Sequence, residues 1–135
     1  MPLLSSATVH QGSIECLNWI TNEEVVTGSS EHNIAITNVV RMEKFQTFLT
    51  RDSIVTSVDT FGEKILSAHE DGQLRLWDRR DSSRPAITFK GHSKWASSVR
   101  FGKTPLHFAS GSYDHTVKLW DMRCSFPLQN MQTQQ

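Results

Sequence analysis

His92, Ser110 and Asp114 are the three residue types of a hydrolase triad, and all lie in the stretch GHSKWASSVRFGKTPLHFASGSYDHTVKLWDMR (91–123). A triad works when the serine hydroxyl is exposed, the histidine takes its proton, and backbone N–H groups stabilise the oxyanion. Ser110 instead sits within the run HFASGS (107–112), with no strand–turn–helix elbow to present a nucleophile. Other chemistry is absent from the pattern too. The histidines at 10, 32, 69, 92, 107 and 115 form no H-E-x-x-H pair or similar metal array, and the glycines stand singly, without a phosphate-cradling loop. Cys16 and Cys124 are far apart and in no metal-ligand spacing. They read as reduced thiols of a cytosolic or nuclear protein. The expectation is a chain with no catalytic residue, no metal and no cofactor.

The elements that carry these residues recur. The segment 106–123 (LHFASGSYDHTVKLWDMR) aligns with 63–80 (EKILSAHEDGQLRLWDRR) and with 23–40 (EEVVTGSSEHNIAITNVV). Trp120, Trp77 and Thr37 are equivalent, as are Val117, Leu74 and Ile34, giving a period of about 40 residues seen three times. In TVKLWD and QLRLWD, alternation places Val117 and Leu119, or Leu74 and Leu76, on one strand face. The segments YDHT and EDGQ read as tight turns, and Gly72 can take positive φ. Before each turn lies a β-prone run, at 25–27, 65–67 and 108–110. An earlier strand is predicted ahead of it, at 14–19, 54–59 and 96–101, and a fourth after each tryptophan position, at 45–50, 86–90 and 126–131. Four short strands per unit imply an all-β chain of three sheets, with units over 10–50, 51–90 and 91–131 and a tail at 132–135.

With Gly91-His92 at its start and Trp120-Asp121 at its end, the third unit resembles a WD40 repeat along its whole length. The second keeps Asp71 and Trp77-Asp78 but has Thr50-Arg51 where Gly-His would stand. The first keeps His10 and Thr27 but has Glu31 for the turn aspartate and Thr37-Asn38 for Trp-Asp. The resemblance implies a partial β-propeller of three four-stranded blades, part of a larger, seven-bladed ring or of an assembly with further blades. It also implies that His92, Ser110, Asp114 and Trp120 form a structural tetrad. Partial tetrads are expected at Ser67, Asp71 and Trp77, with the histidine missing, and at His10 and Thr27. On such a propeller, Trp95, Ser97 and Tyr113, Ile54, Thr56 and Glu70, and Ser13, Glu15 and Ser30 face the upper, partner-binding side.

Finer features are similar to the late blades of the WD-repeat subunits of the PeBoW ribosome-biogenesis complex. They are Trp95 after Gly-His, SYD in the turn, LWDMR followed by Pro127-Leu128, and LRLWDRR with Pro85 in the second unit. That resemblance implies a nucleolar scaffold for large-subunit assembly and pre-rRNA processing. Its implied partners are the propeller of the block-of-proliferation protein, pescadillo and pre-ribosomal particles. The family also carries an N-terminal ubiquitin-like domain and further blades, which are not expected within residues 1–135.

Composition narrows the alternatives. With 37% hydrophobic and 21% charged residues, a globular rather than a disordered protein is expected. No apolar run approaches the roughly 20 residues that span a bilayer, and MPLLSSATVHQGS lacks the pattern of a signal peptide, so no membrane partner is expected. The net charge of zero divides unevenly: residues 1–74 carry ten acidic and four basic side chains, and residues 75–135 the reverse. Arg75, Arg79, Arg80, Arg84, Lys90, Lys94, Arg100 and Lys103 could contact RNA phosphates. Against one continuous patch, Arg79, Arg80 and Arg84 are expected on the lower face and Lys90 and Lys94 on the upper. Two competing functions therefore stand beside ribosome assembly. One is a WD40 adaptor in another, cytoplasmic complex (ubiquitin-ligase substrate recognition or a vesicle coat), and the other is an RNA-binding module.

Overall fold

The computed structural model of the chain describes residues 6–50, 53–123 and 129–132. The first blade comprises β1 (Ile14–Trp19), β2 (Glu24–Ser29), β3 (Asn33–Asn38) and β4 (Glu43–Leu49). The second comprises β5 (Val55–Phe61), β6 (Lys64–His69), β7 (Gln73–Asp78) and β8 (Ile87–Lys90). The third comprises β9 (Ala96–Phe101), β10 (His107–Ser112), β11 (Thr116–Asp121) and β12 (Gln129–Gln132). Each is an antiparallel meander in sequence order, and all regular structure among the described residues is strand. Arg51, Cys124, Pro127-Leu128, the 126–128 part of the last predicted strand and positions 133–135 of the predicted tail lie outside the described residues.

The repeat is visible in the backbone. His32, Gly72 and His115 occupy equivalent turn positions and adopt φ of 71°, 84° and 71°. In each turn the N–H of that residue donates to the carbonyl three residues earlier (Ser29, His69 and Ser112). Gly72 has a second constraint, because a β-carbon there would collide with the His92 carbonyl oxygen of the next blade. Two histidines thus adopt the same left-handed conformation expected at Gly72.

Alternation along each strand buries two apolar layers, one between each pair of blades. Val26, Ile34, Ile36 and Phe48 of the first blade pack against Val55, Val58, Ile65 and Trp77 of the second. Leu66, Ala68, Leu74, Leu76 and Phe89 of the second pack against Ala96, Val99, Phe108 and Trp120 of the third. Burying each such side chain is worth about 1.5–3 kcal/mol, so these layers dominate cohesion. Ile34, Ile36 and Leu74 are fully buried, whereas their third-blade counterparts Val117 and Leu119 are 41% and 37% exposed.

Polar links lock the inner strands together. Asp59 of β5 accepts hydrogen bonds from Asn18 Nδ2 of the first blade (3.1 Å) and from the Phe101 N–H of the third (2.7 Å). Arg79 reaches back from the second blade to Glu24 with two bonds of 3.0 and 2.8 Å. Replacing Asp59 by Ala removes one acceptor from both neighbouring blades, at an expected cost of about 1–3 kcal/mol. A thermal melt should show a loss of several degrees, with Asp59→Asn falling between Ala and the wild type. An Asp59→Ala variant that melts like the wild type would show that this residue does not clamp the blades.

Candidate interaction surface and its framework

In the third blade, β10 and β11 pair Ser110 with Lys118 and Phe108 with Trp120, which brings the tryptophan beside the serine. Trp120 Nε1–H donates to Ser110 Oγ (2.8 Å), Ser110 Oγ meets His92 Nε2 (2.7 Å), and His92 Nδ1 meets Asp114 Oδ2 (3.0 Å). With one hydroxyl proton to give, Ser110 donates to His92 Nε2, and the imidazole donates from Nδ1 to the carboxylate. Asp114 also accepts the N–H of Ser93 (3.1 Å) and of Thr116 (3.0 Å). Burial would raise the Asp114 carboxyl, but bonds from Thr116, His92 and Ser93 outweigh it and hold the group well below its ordinary value. Gly91 has no room for a side chain, because a β-carbon there would strike the Trp120 ring.

The order serine–histidine–aspartate matches that of a hydrolase, but the surroundings do not. Ser110 is 2% exposed, and its oxygen already accepts the Trp120 N–H. A substrate carbonyl has no approach to it.

The second blade departs from the expected partial tetrad. Trp77 Nε1–H donates to Ser67 Oγ (2.9 Å), as Trp120 does to Ser110. A histidine is present after all: His69, fully buried, sets its Nε2 2.7 Å from Ser67 Oγ. His69 lies two residues along the same strand as Ser67 and so points to the same face. The spacing S-x-H was the available signal. Asp71 lacks a histidine partner and turns outward, accepting Gln73 N–H (2.9 Å) and pairing with Arg75 (3.1 Å). His69 Nδ1 is left without a partner among the described residues.

In the first blade His10 bridges Thr27 Oγ1 (2.7 Å) and Glu31 Oε1 (2.8 Å). Glu31 thus occupies the place of the turn aspartate. Thr37 stands where the tryptophan would be and is buried with its hydroxyl unpartnered among the described residues. Asn38 keeps the turn role of the missing aspartate by accepting the N–H groups of Val40 (3.0 Å) and Arg41 (2.9 Å).

These networks hold the loops that form the upper face. Of the nine residues assigned there, Glu15, Ile54, Thr56, Trp95, Ser97 and Tyr113 line one cavity of about 190 Å³. Trp95 and Tyr113 stack at 5.7 Å between centroids with planes 28° apart, and are 39% and 61% exposed. The Tyr113 N–H and the Ser112 hydroxyl both bond the Trp95 carbonyl (2.9 Å each), which fixes the pair. Ser13 and Ser30 bond to each other at the first-blade rim (3.0 Å), and the Glu70 N–H donates to Ile54 O (3.1 Å). The basic segment is partly spent internally: Arg75, Arg79 and Arg80 pair with Asp71, Glu24 and Asp78. Arg84, Lys90, Lys94 and Lys103 make no ion pair among the described residues.

Two tests follow from the framework. Ser110→Ala and Ser67→Ala each strip a buried indole N–H of its acceptor, and both should cost about 1–3 kcal/mol in a denaturant melt. A neutral result for Ser67→Ala would remove His69 from the second network. Burial holds His69 well below the ordinary imidazole value of 6.5, assisted by Arg75, and burial also lowers His92 against the opposing pull of Asp114. The unfolded chain therefore binds protons that the folded chain refuses, so stability present above about pH 6.5 should be lost as pH falls below it. Melts between pH 7.5 and 5 measure this, and His69→Gln should flatten the dependence. An unchanged slope in that variant would contradict the assignment.

Comparison with known proteins agrees with this architecture. The repeat family described as "WD domain, G-beta repeat" matches residues 43–78 and 83–121. The chain is 30% identical to a ribosome biogenesis protein WDR12 homolog of Drosophila mojavensis, over 84% of this chain and 28% of that one. It is 32% identical to the Culex quinquefasciatus homolog, over 90% and 29%. A guanine nucleotide-binding protein subunit beta of Arabidopsis thaliana is 30% identical over 96% and 37%. The chain thus spans less than two-fifths of the length of these relatives. The crystal structure of the computationally designed Ika4 protein superposes with a TM-score of 0.84 at 22% identity, over all of this chain and 82% of that one, a likeness of fold alone. Both matched segments begin at or before the last strand of one blade and run through the third strand of the next, so each repeat straddles two sheets. With more than half of its residues matched and the tetrad geometry in place, the chain belongs to the WD40-repeat family.

Proposed function

We propose that the chain is a non-catalytic protein–protein interaction scaffold that supports large ribosomal subunit assembly and pre-rRNA processing, and that its upper face carries the contact. The observation behind this reading is the exposed Trp95–Tyr113 pair over a three-blade cavity, next to a Ser–His–Asp network whose hydroxyl is closed to substrate. Amphipathic aromatic side chains of this kind dominate interface energies once a partner covers them. The similarity to WDR12 homologs named for ribosome biogenesis supports that pathway. On this reading the chain acts in the nucleolus, and its partners are the propeller of the block-of-proliferation protein and pescadillo in a PeBoW-like complex. The same upper face serves an adaptor in a different complex, a second reading favoured by the match to a guanine nucleotide-binding protein subunit beta over 96% of the chain. Direct RNA binding has less support, because three arginines of the basic segment are neutralised by carboxylates.

Co-purification from nuclear extract separates the readings, with ribosome-assembly proteins expected on the wild-type chain and adaptor partners expected under the second reading. Trp95→Ala should weaken capture by about 2 kcal/mol or more while leaving the melting temperature nearly unchanged. A Trp95→Ala, Tyr113→Ala double variant that binds as well as the wild type would move the contact to the lower face or a blade edge.

A further inference from the structure

We propose that the upper-face cavity receives one arginine side chain from a partner protein, with the guanidinium inserted among all three blades. The inference rests on the upper-face reading above and adds the chemistry of what enters. At about 190 Å³ the cavity fits one long side chain, well short of the roughly 300–1,000 Å³ that holds a drug-sized molecule.

Its polar groups offer acceptors. The Thr56 hydroxyl donates its proton to the Ala96 carbonyl, and the Ser97 hydroxyl donates to the Gly111 carbonyl (3.4 Å). Both therefore present lone pairs. The Glu15 carboxylate takes the Ser13 hydroxyl on Oε1 (2.8 Å), which leaves Oε2 available, and it forms no ion pair among the described residues. The side-chain donors that line it are the Trp95 indole N–H and the Tyr113 hydroxyl, and an anionic group entering it would meet the Glu15 carboxylate as a like charge. A cation rich in donors matches it.

Two further features select guanidinium over ammonium. The exposed Trp95–Tyr113 stack offers aromatic surface on which a flat guanidinium can lie while its edge reaches a carboxylate. The three acceptors also come from separate blades: Glu15 from β1, Thr56 from β5 and Ser97 from β9. A forked five-donor group spans such a spread, and a compact point charge does not. Lys94 precedes Trp95 in the chain but does not line the cavity.

The test titrates the full isotope-labelled chain with acetylated, amidated Gly-Gly-Arg-Gly-Gly and with its citrulline and lysine counterparts. The readout is the Trp95 indole N–H resonance, identified by its loss in Trp95→Phe. The arginine peptide should shift that resonance saturably, and the citrulline peptide, which has nearly the same shape without the charge, should bind about tenfold or more weakly. Glu15→Gln should weaken the arginine peptide by about tenfold with the melting temperature unchanged. No saturable shift, equal binding of arginine and citrulline, or an indifferent Glu15→Gln would each overturn the proposal. Lysine binding as tightly as arginine would overturn the choice of guanidinium. With a captured protein partner, loss in Trp95→Ala but retention in Glu15→Gln overturns the arginine assignment alone. Retention in both variants overturns the upper-face reading as well.

Discussion

A buried tryptophan carries one N–H that must find an acceptor, and much of this structure is arranged around that requirement. Trp77 and Trp120 fill the two layers between blades and are fully buried. An indole donor left unmet there would cost most of what the ring gains by burial. A serine on the neighbouring strand accepts each N–H, and the hydroxyl then needs an acceptor for its own proton. The imidazole is that acceptor. Its remaining nitrogen finds Asp114 in the third blade, where the chain of bonds ends in a turn stabilised by backbone donors.

The network is built from different parts in each blade. The third uses a histidine from the loop before its first strand, and the second uses His69 from within the strand. The first has Thr37 where the buried tryptophan would stand, so Thr27 serves only the histidine, and Glu31 supplies the carboxylate with a longer reach. What is preserved in all three is the bond between a histidine and a hydroxyl of the second strand, rather than the position from which the histidine comes. This is also why a serine, a histidine and an aspartate in hydrogen-bonded order do not amount to a reactive site here. The tryptophan that makes the network necessary also covers the hydroxyl.

By anchoring the loops and turns, these networks present a rigid upper face. The turn holding Tyr113 is tied to the loop holding Trp95 through Ser112, and the turn holding Glu70 is tied to Ile54. Preorganised aromatic side chains lose little entropy when a partner covers them. The lower face has a different character, with Asp78–Arg80 and Asp121–Arg123 pairs at the ends of the third strands and the Glu24–Arg79 link between blades. Charges there are largely matched within the chain.

The sequence by itself determined the repeat, the four-strand unit and the faces of the strands, because period-two alternation and turn residues are local properties of the chain. The resemblance of the third unit to a WD40 repeat also pointed to the members of its network, all four of which fall in that unit. Only the tertiary structure decided what depends on distance between blades. The role of Asp59, which joins groups some forty residues away on either side, has no local signature. The arrival of His69 in the second network, with Asp71 turned to Arg75, followed from which side chain could reach Ser67 once the sheet had formed. The cavity under Trp95 exists because three first strands, each carrying one acceptor, converge at the upper face. Alternation fixes which way a side chain points from its own strand, but it leaves open which side chains it will meet.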